Sequence, residues 1–181
     1  IPDDAFVYTV VGNRLSTEID RTFIRAIRTV LKANSRARIV VIGSNYNGEI
    51  EARLPSHLER RVIHLPYQDD LAQVYRLCDA FLNPFRSGGG MSAFMAMQVG
   101  LPIITLTDCD VSSHLGSRLS CQDYEAYTTH ALRLLDDEAY RQECRAAVQA
   151  EIEKTPLLFD APEKLEALCE QAVARFNEIN G

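Results

Sequence analysis

Residues 79–106 read DAFLNPFRSGGGMSAFMAMQVGLPIITL. The stretch opens on a short apolar run and passes through three consecutive glycines, 88–90. It then enters a segment with helical character that stops at Gly100, and Pro102 leads into a second apolar run. A glycine after the last helical turn, with proline just beyond it, is a helix-stop signal. Strand, loop, helix and strand in so short a span form a βαβ unit, whose two strands lie parallel. The glycine run needs its own reason, because glycine carries a backbone-entropy cost. Either its glycines only allow tight helix–strand packing, or they bring bare backbone close to a ligand.

The same rhythm extends in both directions. Apolar runs at 5–12, 37–43, 61–65, 79–84 and 102–106 predict five strands. Several are apolar on both faces, as strands inside a parallel sheet must be. Between the first two, Ile19, Phe23, Ala26, Ile27, Val30 and Leu31 form one helical stripe, with Ser16 or Thr17 as candidate N-cap. Residues 47–54 predict a short, poorly defined helix, and 69–78 a helix led by two carboxylates, which suit its positive N-terminus. The last third shows no clear strand and predicts helices at about 122–135, 137–153 and 161–179. The last starts at Asp160 and Pro162 and carries a stripe of Leu165, Leu168, Ala172, Phe176 and Ile179. Residues 155–160 are the one candidate hinge. The order of elements implies an α/β, Rossmann-like open parallel sheet with helices on both faces. Residues 1–181 form a single domain, with about 155–181 a C-terminal helix that packs back on it or towards another lobe.

Composition narrows the function. The 181 residues are 46% hydrophobic and 24% charged, which fits one globular domain with a sizeable core. No apolar run is long enough for a membrane span. Residues 1–90 carry net charge +2 and residues 91–181 carry −8, a surplus of acid that argues against nucleic acid. The five cysteines have no metal-ligand spacing and read as small core residues of a reducing, cytoplasmic compartment; no metal is expected. The chain begins at Ile1-Pro2 without methionine, which reads as a piece of a longer protein.

Ligands of open parallel sheets bind at the carboxyl ends of the strands. The loop after the fourth strand holds Ser87, Gly88, Gly89 and Gly90, followed by Met91 and Ser92 in the first helical turn. Amides there point at a bound anion, aided by the helix dipole, and the Ser92 hydroxyl adds a donor. Arg14, just past the first strand, suits bidentate phosphate binding, and Arg86 is a weaker candidate for the same task. Tyr67, after the third strand, offers a ring to a flat base or simply packs; Gly12 and Asp110 are further candidates for base or sugar contact. Asp108, Asp110 and His114 invite an acid–base or metal reading, but the same residues suit a polar, helix-capping loop. A P-loop and a dinucleotide fingerprint are both missing, and no nucleophile elbow is present.

Taken in order, GNRLSTEI (12–19), ARIVVIG (37–43), the run from Arg61 to Leu106 and DYEAYTTHALRLLDDEAYRQECRAAV (123–148) resemble the C-terminal domain of GT-B glycosyltransferases, especially the group 1 family. The resemblance covers roughly residues 6–150 and is most specific at 79–102. It implies a lobe that binds a nucleotide-diphosphate sugar, a UDP-sugar being the first guess, with no further cofactor. It also implies an acceptor on a separate N-terminal Rossmann-like domain, without which this lobe would be inactive. Ser87 and Met95 occupy the places where the family often carries two glutamates, and the lysine usual after Arg14 is absent, with Arg21 the nearest cation. Ser87 and Met95 keep open a non-catalytic scaffold or regulatory module of the same fold, and the glycine loop at a helix start also suits a sugar-nucleotide epimerase-like enzyme.

Overall fold

In the computed structural model the described residues are 1–88, 90–115, 119–154 and 161–180, with the side chains of 114, 161–165 and 178–180 not described. Six strands are present: β1 (Phe6–Val11), β2 (Ala37–Ile42), β3 (Val62–Leu65), β4 (Ala80–Leu82), β5 (Ile103–Leu106) and β6 (Ser120–Cys121). They form one sheet in the order β3-β2-β1-β4-β5-β6, and every neighbouring pair is parallel. The chain runs outward from β1 to β3, then returns to the other side of β1 as β4. The carboxyl ends of β1 and β4 therefore flank the point where the winding reverses, where crevices open in this architecture.

The helices are α1 (Leu15–Glu18), α2 (Arg21–Ala33), α3 (Ser56–Glu59), α4 (Leu71–Tyr75), α5 (Gly90–Gln98), α6 (Tyr124–Asp136), α7 (Glu138–Lys154) and α8 (Ala161–Asn180), and they cover both faces of the sheet. The α2 stripe is buried as its spacing predicts, with Phe23, Ile24, Ala26, Ile27, Val30 and Leu31 inside. Phe23 meets Tyr127 of α6 edge-on, ring centroids 6.1 Å apart. A fully buried side chain of this size stabilises the fold by roughly 1.5–3 kcal/mol. On α5, Ala93, Ala96 and Met97 are buried, and Gly100 ends the helix at φ +71° with its amide on Met97 O.

Four expectations change. The helix predicted from residue 16 is two helices: Ile19 is extended, and Asp20, not Ser16 or Thr17, caps α2 by accepting the Phe23 amide at 2.7 Å. Thr17 instead donates its hydroxyl to Arg14 O. The helix expected over 47–54 is a 3-10 turn, Glu51–Arg53, followed by α3. β6 appears where no strand was expected; its two residues are strand only because they pair with Thr105 and Leu106. The 155–160 hinge lies outside the described residues. Leu168 and Phe176 of the α8 stripe are exposed, as is Val173. No described helix is long and apolar enough to cross a membrane.

Candidate functional site

Above the carboxyl ends of β1 and β2 lies an open cavity of about 360 Å³. Its floor is backbone. Gly12 follows β1 and Gly43 follows β2, and the two cross so closely that a Cβ on Gly43 would lie 1.9 Å from Gly12 O. Gly12 N donates to Ile42 O, and Gly43 N to Leu65 O, so the sheet's ladder continues into the floor. Tyr67, Gln68 and Leu71 form one wall, from the loop after β3 and the start of α4. Met91, Ser92 and Met95, from α5, form another. Arg14, Glu18 and Arg86 complete the lining.

The three charged residues form a chain. Glu18 is 10% exposed, and each of its oxygens holds a different arginine: Oε1 lies 3.2 Å from Arg14 Nη2, and Oε2 lies 2.9 Å from Arg86 Nη1. Arg86 also donates from Nε to Asn83 Oδ1 and from Nη2 to Val11 O, each at 2.9 Å. Asn83 in turn donates to Thr105 Oγ1. Arg86 is thus a buried tie between β1, the β4 loop and α1. Its expected role as a weak phosphate ligand is corrected: all three nitrogens are taken by protein. Arg14 is different, with a side chain 65% exposed and Nη2 donating to Ser87 O at 2.9 Å.

At the glycine loop, Gly88 has φ +90°, in the left-handed region that favours glycine. Its amide donates to the Asp110 carboxylate. Gly89 lies outside the described residues. Gly90 is the first residue of α5, and the space where its Cβ would stand is open. Bare backbone, room and a helix N-terminus therefore coincide at Gly88 and at 90–92, beside Arg14. Tyr75 holds this turn from below, its hydroxyl donating to Ser92 O at 2.9 Å. Burial pushes the Tyr75 phenol far above its ordinary range, so it stays a neutral donor.

The sequence-predicted candidates fall into two groups. Gly12, Arg14, Tyr67, Met91 and Ser92 line one cavity, with Tyr67 61% exposed at its mouth. Ser87, Gly88, Gly90 and Asp110 stand beside it, joined to Arg14 through Ser87 O. In the described part of the 107–116 loop, residues 107–115, where the His114 side chain is not described, the contacts are those of capping: Ser112 Oγ donates to Thr107 O and Cys109 O, and Ser113 Oγ to Asp110 O. Among the described residues, no group of three His, Cys, Asp or Glu is placed to hold a metal ion. Sequence reasoning did not single out Glu18, Gly43, Gln68 or Leu71. Glu18 had a signal, since it lies four residues after Arg14 on a helix. Gly43, as the glycine ending an apolar strand, had one too.

A match to the glycosyl transferases group 1 family extends over residues 7–137. The chain belongs to that family. No curated protein sequence matches it. Among solved structures it is similar to a mutant O-GlcNAc transferase of Thermobaculum terrenum, at 22% identity and TM-score 0.68 over 85% of this chain and 33% of that one. It is similar to WaaG, a glycosyltransferase involved in lipopolysaccharide biosynthesis, at 16% identity and TM-score 0.74 over 91% and 47%. A third likeness is to a TarM mutant of S. aureus in complex with UDP, at 14% identity and TM-score 0.75 over 92% and 36%. These identities show a shared fold. The group 1 chain spans from a third to about half the length of these three proteins.

Proposed function

We propose that this chain is the donor-binding lobe of a glycosyltransferase, and that its cavity takes a nucleotide-diphosphate sugar. The observation that carries the reading is that Arg14, which donates to Ser87 O of the glycine loop, and the first turn of α5 line one cavity of about 360 Å³. The diphosphate would lie along Gly88–Ser92, with Arg14 releasing Ser87 O to reach it. The Tyr67 wall would receive the base, with UDP the first nucleotide to try. Gly12 and Asp110 are further candidates for contact with the base or the sugar. Met95 brings a thioether where a carboxylate would otherwise meet hydroxyls, so ribose would be held by packing more than by charge. The acceptor would lie on a separate lobe across the cleft.

The test is calorimetric titration with UDP, GDP and ADP. One of the three is expected to bind saturably, and Arg14→Ala is expected to weaken it by about 10- to 100-fold, the worth of one hydrogen bond to a charged oxygen. A folded chain that binds none of the three would sink the donor-site reading.

A further inference from the structure

Among the described residues, two protein contacts hold the glycine loop. Arg14 Nη2 donates to Ser87 O at 2.9 Å, and the Gly88 amide donates to the carboxylate of Asp110. The second contact has a particular chemistry. A carboxylate on a glycine-loop amide, just ahead of a helix N-terminus, holds the position that suits an oxygen of an anionic ligand. The same corner carries an exposed cation: the position of a Cβ on Gly88 lies 3.3 Å from Arg14 Nη2. An anion that bridged Arg14 and the Gly88 amide would therefore have to expel the Asp110 carboxylate. Asp110 can leave without unravelling its loop, because it is exposed and the turn behind it is held by the Ser112 and Ser113 hydroxyls.

We propose that Asp110 is an internal competitor for the ligand's diphosphate, occupying the Gly88 amide in the empty site and yielding it on binding. The inference rests on the donor-site reading above. It assigns Asp110 a role in setting affinity rather than in holding the sugar. A displaced carboxylate that stays close also repels a bound nucleoside diphosphate, which would speed its departure after transfer.

The experiment compares the full chain with Asp110→Asn and Asp110→Ala by calorimetry, using inorganic pyrophosphate and, separately, UDP, GDP and ADP. Asp110→Asn keeps an oxygen for the Gly88 amide and removes only the charge, so it carries the test even if Asp110→Ala folds poorly. Pyrophosphate and the preferred nucleotide are expected to bind Asp110→Asn roughly 5- to 50-fold more tightly, the range that one like charge a few ångströms away imposes. Unchanged or weaker binding by Asp110→Asn overturns the proposal, and if the wild-type chain still binds a nucleotide, the donor-site reading survives that result. Tighter pyrophosphate binding without affinity for any nucleotide supports the competitor and overturns the donor site instead. No binding of pyrophosphate or of any of the three nucleotides by any form overturns both.

Discussion

At the residue scale the site depends on what Arg86 holds. Its guanidinium satisfies a nearly buried carboxylate, an amide oxygen and a strand-end carbonyl at once. Replacing it by methionine leaves Glu18 with only Arg14 and strands two buried acceptors. Arg86→Met is expected to cost about 3–5 kcal/mol in denaturant unfolding, the scale for removing one partner of a buried ion pair. Arg86→Lys keeps the charge, but one ammonium group cannot span three partners, so a smaller loss of about 1–3 kcal/mol is expected. Equal stability of Arg86→Met and the wild type would contradict the tie. The same buried guanidinium explains Gly12, where a Cβ would lie 2.5 Å from Arg86 Nη1.

At the element scale the junction of β6, α6 and α7 sets the response to acid. His130 of α6 is buried; its Nδ1 lies 3.8 Å from Cys121 Sγ of β6, and its Nε2 lies 3.2 Å from Tyr140 Oη and 3.8 Å from Cys144 Sγ of α7. Burial, and then the Arg133 charge, push its pKa down from 6.5 to about 4. The folded state thus binds fewer protons than the unfolded chain between those two values. Stability is fully present above about pH 6.5, falls as pH drops towards 4, and loses nothing more from this group below that. The loss amounts to as much as about 3 kcal/mol. His130→Gln is expected to flatten that part of the stability–pH curve, measured by urea unfolding between pH 4 and 7. An unaltered slope would refute the assignment. The two ends of α6 follow local rules that are plain in the sequence: Asp123 accepts the Glu125 and Ala126 amides, and Asp137 follows the last turn.

At the scale of the whole molecule, a single lobe presents its cavity at an open sheet edge, and such pockets are commonly completed by a second domain. The 181-residue chain alone is therefore expected to bind its nucleotide without transferring sugar, measured by release of nucleoside diphosphate from UDP-sugars; turnover by this chain alone would count against an acceptor on a separate lobe. Five of the six strands and the parallel order were legible because buried strands must be apolar on both faces and Gly100-Leu101-Pro102 stops a helix by local geometry. β6 was not legible, since two residues become strand only through Thr105 and Leu106. The same division runs through the site. The glycines, Arg14 and Tyr67 carry their chemistry in their own type and place. What the glycine loop touches does not: Glu18 meets Arg86 across 68 residues and Gly88 meets Asp110 across 22. Two arginines of equal charge, both paired with Glu18, thus part company, Arg86 inside the fold and Arg14 exposed at its edge. Five strands, their parallel sense and most of the longer helices follow from apolar period and from where Gly and Pro stand in the chain. Which charges are buried and which stay exposed is settled by folding, because it depends on partners far apart in the chain.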